Sequence, residues 1–224
     1  MTQKRQARAL HPSEIRHLLR VTRTTSRHPE RDALILLLGL GAAMRISEIA
    51  ALEVRDVMLP SGKLRTEVSL TETKGNVPRL AYLTNPKLVL ALEDYISWRK
   101  AKRFGCSLSD AKYQGLLPRT ALIVTWKGSR YEMTEKAIKN TDGETVYYRV
   151  AASLQTYVTG LYRAAGLYGC SSHSGRRTVA SNLIRSGHSI ETAQIILGHK
   201  DIDVTAEYIA VDKSKLREMV EVVI

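Results

Sequence analysis

Seven side chains in this sequence are of types that suit work on a phosphate: Arg45, Glu48, Lys74, His173, Arg176, His199 and Tyr208. Breaking a phosphodiester without a metal needs fixed positive donors around a phosphate whose charge grows in the transition state. Arginine fits the non-bridging oxygens, because its guanidinium is always charged and can grip two oxygens at once. A phenol used as nucleophile needs a base, and a departing alkoxide needs a proton. Taken singly, the same residues are weak signals. Arg45 and Glu48 are three apart, the spacing of an exposed helical ion pair worth little. Lys74 sits in a turn, where lysine is normally just solvated. His173 and Arg176, also three apart, project from one face at a helix start. Leu197-Gly198-His199 reads as a helix end with a favourable histidine, and Tyr208 as a half-buried core tyrosine.

The elements that must position these groups are mostly helices. His11-Pro12-Ser13-Glu14 ahead of Ile15, Leu18 and Leu19 predicts a helix start. Pro29-Glu30 opens a second helix, apolar through Leu34–Leu40. The uncharged stretch between Asp32 and Arg45 is twelve residues, short of the ~20 that span a bilayer, and reads as a buried core helix. A short helix is expected over Met44–Leu52. Val68 and Leu70, then Val77, Leu80, Tyr82 and Leu83, separated by Lys74-Gly75-Asn76, suggest a small antiparallel sheet. Asn85-Pro86 caps a helix running to about Phe104. Residues 105–149 give little beyond a strand at Ala121–Trp126 and a turn at Asp142-Gly143. Helices follow over Val150–Ala165, Ser174–Arg185, Ser189–Leu197 and Val204–Ile209. A further short helix, capped by Asp212, carries Leu216, Met219, Val220 and Val223 on one side. The fold class is α+β, mainly α: a helical bundle with a small antiparallel β-sheet.

Composition bounds the partner. The 224 residues hold 34 Lys+Arg against 22 Asp+Glu, a formal charge of +12, which favours a polyanion and nucleic acid before a membrane surface. Residues 1–31 contain eight Lys/Arg and two Glu, half of the surplus. Two cysteines, Cys106 and Cys170, make neither a disulfide framework nor a zinc site, and point to a reducing cytoplasm. The N-terminus lacks a secretory signal, and no metal set is expected from the cysteines and six histidines.

Order and spacing say more than any single residue. Gly41-Ala42-Ala43-Met44-Arg45-Ile46-Ser47-Glu48-Ile49, Lys74, His173-Ser174-Gly175-Arg176-Arg177-Thr178, Leu197-Gly198-His199 and Tyr208 nine residues later together resemble the tyrosine recombinase (phage integrase) family over about residues 10–220. The resemblance implies that family's catalytic-domain fold and its activity. DNA strands are broken and rejoined through a transient 3′-phosphotyrosine on Tyr208, which frees a 5′-hydroxyl. It implies Arg45 and Arg176 on the phosphate, His173 as the base, Lys74 as proton donor to the leaving oxygen, and His199 as a further donor to the phosphate. Glu48 matches a position that orients the site from behind. Because bond energy is stored in the linkage, no cofactor and no metal are implied. The resemblance further implies double-stranded DNA as partner, a tetramer on two DNA sites with a monomer in the absence of DNA, an accessory directionality factor, and a prokaryotic or phage-encoded protein. It puts a catalytic domain at residues 12–211 and a C-terminal helix at 212–224 that docks in trans on a neighbour, or packs on its own domain.

Residues 1–11 form a basic N-terminal arm in which Lys4, Arg5 and Arg8 are candidate phosphate contacts, as is Arg177. The run Arg99-Lys100-Ala101-Lys102-Arg103 is either a further phosphate contact or a set of cations at a helix C-terminus. Most family members carry a helical core-binding domain ahead of the catalytic domain; here the first helix starts near residue 12, so a naturally short member, like the fimbrial phase-variation invertases, and a catalytic fragment are both open. The rivals are a type IB topoisomerase-like nicking-closing enzyme, disfavoured by the flanks of His173 and His199, and a non-catalytic DNA-binding paralogue. An RNA-binding module would need stacking aromatics, and the chain has one Phe and two Trp.

Overall fold

A computed structural model of the chain describes residues 6–70, 78–139, 143–199 and 202–206. Lys4, Arg5, Lys74, Tyr208, the Lys74-Gly75-Asn76 turn, Asp142 and the 212–224 segment lie outside the described residues.

Helix α1 (Pro12–Thr25) begins where the sequence places it: the Glu14 carboxylate reaches back to accept from the His11 amide (2.9 Å). Helix α2 (Pro29–Gly41) is the axis of the molecule. Its run Ala33–Leu38 is buried on every side, as expected for a helix that is apolar all round. Beyond α2 the chain turns at Ala43 (φ 52°) and enters α3 (Ile46–Ala51), then α4 (Val54–Val57). Strands β1 (Glu67–Leu70) and β2 (Arg79–Tyr82) pair antiparallel with Val68 opposite Ala81. Their phase brings a correction. Arg79 and Ala81 face inward, and Leu80 and Tyr82 face out.

Helix α5 (Pro86–Ala101) starts on Asn85, whose side chain accepts from the Lys87 and Leu88 amides. It stops three residues before Phe104. Arg99 is fully buried and donates to the carbonyls of Ala121 (2.6 Å), Leu122 (2.9 Å) and Phe104 (3.0 Å). This arginine therefore holds the 121–122 segment and makes no phosphate contact. Ala121–Trp126 is not a strand of either sheet. It forms only single bridges, Glu53 with Ala121 and Val124 with Arg130, while Leu122 and Ile123 enter the core.

A second antiparallel hairpin, β3 (Thr134–Lys139) and β4 (Thr145–Val150), pairs Lys136 with Tyr148. The sequence points to one sheet: β3 of this second hairpin is mostly polar and exposed and lacks the apolar alternation that betrays a half-buried strand, although Tyr148 and Val150 of β4 are half-buried. Helices α6 (Ala152–Ala164), α7 (Ser174–Arg185), α8 (Ile190–Leu197) and α9 (Ile202–Ala206) complete the described chain. Helix α7 lies unusually close to α2: a Cβ on Gly175 would stand 2.7 Å from the Gly39 carbonyl carbon. Glycine there lets two backbones touch and brings the next residue, Arg176, to the end of α2. No helix among the described residues is long and apolar enough to cross a membrane.

Candidate active site

The site is assembled at the C-terminal end of α2 from four separate pieces of chain. Glu48 is its hub. The carboxylate is buried and accepts from the Arg45 amide (2.6 Å), the Arg45 guanidinium (2.8 Å) and the Arg79 guanidinium (2.8 Å). Burial alone would raise the Glu48 pKa, but Arg79, the Arg45 amide and the Arg45 and Arg176 charges outweigh it and hold the acid below its usual range. The i,i+3 pair of Arg45 and Glu48 is thus not the exposed pair that its spacing alone suggests.

The arginines are oriented by carbonyls at helix ends. Arg176, 1% exposed, donates to Ala43 O (2.6 Å) and Leu197 O (2.6 Å). Arg79 donates to the same Ala43 carbonyl (3.0 Å) and to Ile196 O (2.8 Å), and Arg45 to Gly198 O (3.0 Å). The C-terminal turn of α8 therefore meets three arginines, where its carbonyl dipoles point at cations. Gly198 closes that turn at φ 60°, and a Cβ there would lie 2.4 Å from Arg79 Cδ. The Leu-Gly-His glycine is needed both for the left-handed cap and for the passage of Arg79.

His199 is buried. Its Nε2 lies 3.0 Å from an Arg176 Nη and its Nδ1 2.9 Å from Thr205 Oγ1. An arginine can only donate, so Nε2 accepts and Nδ1 carries the proton that goes to Thr205. Desolvation, then Arg176, Arg45 and Arg79, push the ring pKa down to about 3; the histidine is neutral at pH 7. His173 is the residue before α7 and keeps an open face to solvent. Desolvation of its cleft-facing side and then Arg176, Arg45 and Arg177 lower its pKa as well, which favours the uncharged ring.

In front of these groups lies a cavity of about 430 Å³, lined among others by Arg45, Ser47, His173 and Arg176 and walled on the hairpin side by Lys136 and Tyr148. Among the described residues no carboxylate lines it. Among the described residues no group of three His, Cys, Asp or Glu could hold a metal ion.

Of the residues singled out in the sequence, Arg45, Glu48, His173, Arg176 and His199 come together here. Lys74 and Tyr208 fall outside the described residues, yet their flanks are anchored: β2 enters the site through Arg79 two residues after residue 77, and Thr205 holds His199 three positions before Tyr208. Arg177 points elsewhere and donates to Gln6 Oε1 (2.8 Å). Arg8 makes a two-pronged bond to Glu14 (2.7 and 2.9 Å), and Leu10 donates to Thr178 Oγ1 (2.9 Å), so residues 8–10 lie against the body of the protein. Sequence reasoning missed Arg79. One arginine among 34 Lys+Arg gives no signal, and only the strand phase that pairs it with Ala81 on the inner face could have marked it.

The model of the phage integrase family matches residues 8–215. Tyrosine recombinase XerC of Caldanaerobacter subterraneus subsp. tengcongensis is 30% identical over 195 residues, covering 85% of this chain and 44% of the relative. The chain spans about half the length of the curated relatives it matches. Among solved structures, the XerA recombinase superposes with a TM-score of 0.68 at 20% identity over 97% of this chain and 65% of that one. The Tn1549 transposon integrase, solved in complex with transposon right end DNA, gives 0.62 at 18% identity over 99% and 67%. These likenesses show a shared fold.

Proposed function

This chain belongs to the phage integrase family, and we propose that it is a site-specific DNA recombinase that cleaves and rejoins strands through a covalent bond to Tyr208. The observation that carries this reading is the charge balance of the site. Two arginines, Arg45 and Arg79, pair with one carboxylate, Glu48, and a third, Arg176, adds its charge nearby, behind a cavity whose wall among the described residues holds Arg45, Arg176 and His173 and no acid. Such a surplus, fixed in place before any ligand arrives, suits a phosphate that gains negative charge as it reacts.

In the proposed reaction the Tyr208 oxygen attacks phosphorus in line with the 5′-oxygen. The phenol proton passes to His173, which burial and then its cationic neighbours keep uncharged before the reaction. Arg45 and Arg176 hold the non-bridging oxygens, and Glu48 and Arg79 keep Arg45 from swinging away. As the P–O5′ bond breaks, Lys74 protonates the leaving oxygen, a contribution of about 10²–10⁴-fold. A phosphate beside His199 raises the proton affinity of that ring, so that Nε2 can carry a proton and donate. Attack by a 5′-hydroxyl from the partner strand reverses each transfer and rejoins the DNA, with no net bond energy consumed. Four copies on two DNA sites, linked through residues 212–224 and steered by a directionality factor, would turn paired cleavages into integration, excision or inversion. Arg8 and Arg177, with Lys4 and Arg5, are candidates for weaker backbone contacts.

The test is covalent trapping. Protein incubated with fragmented genomic DNA is denatured in detergent, and protein-linked fragments are captured and sequenced beside a Tyr208→Phe control. Wild type should yield adducts at the 3′ side of the break, enriched in one sequence, and the variant none. An equal yield from Tyr208→Phe would sink the reading. So would no adduct even on nicked substrates that lose the 5′-hydroxyl fragment.

A further inference from the structure

The β3–β4 hairpin walls the cavity yet has no task in the chemistry above. Its register sets Lys136 opposite Tyr148 and Thr134 opposite Val150, so these four share one face of the ribbon. Lys136, Tyr148 and Val150 line the same cavity as Arg45, His173 and Arg176. Glu135 pairs with Arg149; Arg149 also lines the cavity and adds a second cation to its hairpin wall, whereas Glu135 is not among the lining residues. Strand β4 packs on α3, the helix that begins directly after Arg45, which ties the position of Lys136 to that of the catalytic arginine. Lys136 is exposed and Tyr148 half-buried.

We infer that Lys136 and Tyr148 form a second phosphate subsite, taking the DNA backbone phosphate adjacent to the one held by Arg45 and Arg176 on the same strand. The inference rests on the recombinase reading and adds a contact that the reaction itself does not use. Phosphates along one strand advance only about 3.4 Å each along the duplex axis. A strand whose reacting phosphate sits on the two arginines must therefore carry a second charge through the neighbouring space. Among the described residues the wall facing that space presents the Lys136 ammonium, the Tyr148 hydroxyl and Arg149, and no carboxylate. Lysine suits a phosphate that is held and not transformed: its charge is compact and its flexible stem tolerates small changes in DNA path. The Tyr148 hydroxyl adds one hydrogen bond without adding charge. The arginines in the buried site act on the reacting phosphate, and the hairpin sets the direction in which the strand leaves it.

Full-length wild type, Lys136→Ala, Lys136→Arg and Tyr148→Phe are titrated against a labelled mixed-sequence duplex over a range of salt, with thermal midpoints measured for each. Lys136→Ala is expected to weaken binding about three- to tenfold at moderate salt and to reduce the slope of log affinity on log salt by about 0.9, one phosphate contact. Lys136→Arg should restore the slope, and Tyr148→Phe should weaken binding by about two- to threefold with the slope intact. Wild-type affinity and slope in Lys136→Ala would overturn the subsite, as would Lys136→Arg binding as weakly as Lys136→Ala. If the wild type itself shows no salt-dependent duplex binding, the recombinase reading falls and the subsite with it.

Discussion

The two ends of α2 each bury a charged cluster, and the two are built on opposite principles. At the N-terminal end Asp32 accepts from Arg31 Nε (2.9 Å), from the Tyr157 hydroxyl (2.6 Å) and from Ser26, while Arg31 also donates to Tyr157 (2.7 Å). One cation meets one anion, and the helix N-terminus adds a favourable dipole for Asp32. Burial and then Asp32 push the Tyr157 phenol up to about 12, which keeps it a donor. At the C-terminal end Arg45 and Arg79 share Glu48 with Arg176 alongside, and these guanidiniums also donate to the neutral carbonyls of Ala43, Ile196, Leu197 and Gly198 and, from Arg176, to His199. Carbonyls orient a guanidinium without cancelling its charge. The first cluster is closed and locks α2 to α6; the second keeps a positive surplus, which the proposed reaction would use to hold a phosphate.

The sharpest way to break this contrast is to remove one carboxylate oxygen's charge at each end. Asp32→Asn leaves Arg31 buried without a counterion and should cost about 3–5 kcal/mol in denaturant unfolding. The cleavage rate of the remaining folded protein should hardly change. Glu48→Gln should destabilise by a comparable amount and also slow single-turnover cleavage, because Arg45 loses the group that orients it. If Asp32→Asn slowed cleavage as much as Glu48→Gln, the division into a structural and a functional cluster would be wrong.

A smaller effect is expected from Gly198→Ala. The left-handed cap and the approach of Arg79 together should cost about 1–3 kcal/mol in stability. Cleavage should fall with it, since Arg45 and Arg79 both register on that turn. A thermal midpoint equal to wild type would show that Arg79 does not pass where the structure has it.

Protonation gives the finest probe. His199 is held neutral by burial and by Arg176, with a folded pKa of about 3 against about 6.5 in the unfolded chain. The unfolded state therefore binds the extra proton first, and stability should decline as pH falls from about 6.5 toward 3. Replacing His199 with Gln should flatten that limb by up to one proton, read from unfolding free energy against pH. Glu48 acts lower on the scale. Its folded pKa is depressed, so its stabilisation is complete above the ordinary glutamate range and is lost as pH drops through the lowered value. An unchanged limb in His199→Gln would mean that the ring is not desolvated beside the arginines.

Legibility followed distance along the chain. The Glu14 cap, the Asn85 cap, the apolar α2 and the αL end of α8 at Gly198 are local patterns, and each stands where the sequence indicates. The order of Arg45, Glu48, His173, Arg176 and His199 was equally plain, because the spacing of charged residues around fixed small ones survives as text. Less visible was everything decided by phase or by closure over long separations. Arg79 reaches Ile196 across 117 positions and Arg176 reaches Ala43 across 133. Strand β3 of the second hairpin is mostly polar and writes no apolar period into its sequence, and Arg99 looked like a surface cation until the core closed round it.

By itself, then, the sequence determined the chemical inventory: permanent charge from arginine, a titratable ring from histidine, helix starts and stops from short-range hydrogen bonding. Only the tertiary structure decided which carboxylate serves which arginine, which nitrogen of His199 holds the proton, and that Lys136 faces the same cavity as Arg176. The physical reason is range. Caps and apolar periods are set by neighbours within one turn, whereas charge balance and proton position depend on burial and on groups more than a hundred residues away, which packing alone brings within hydrogen-bonding distance.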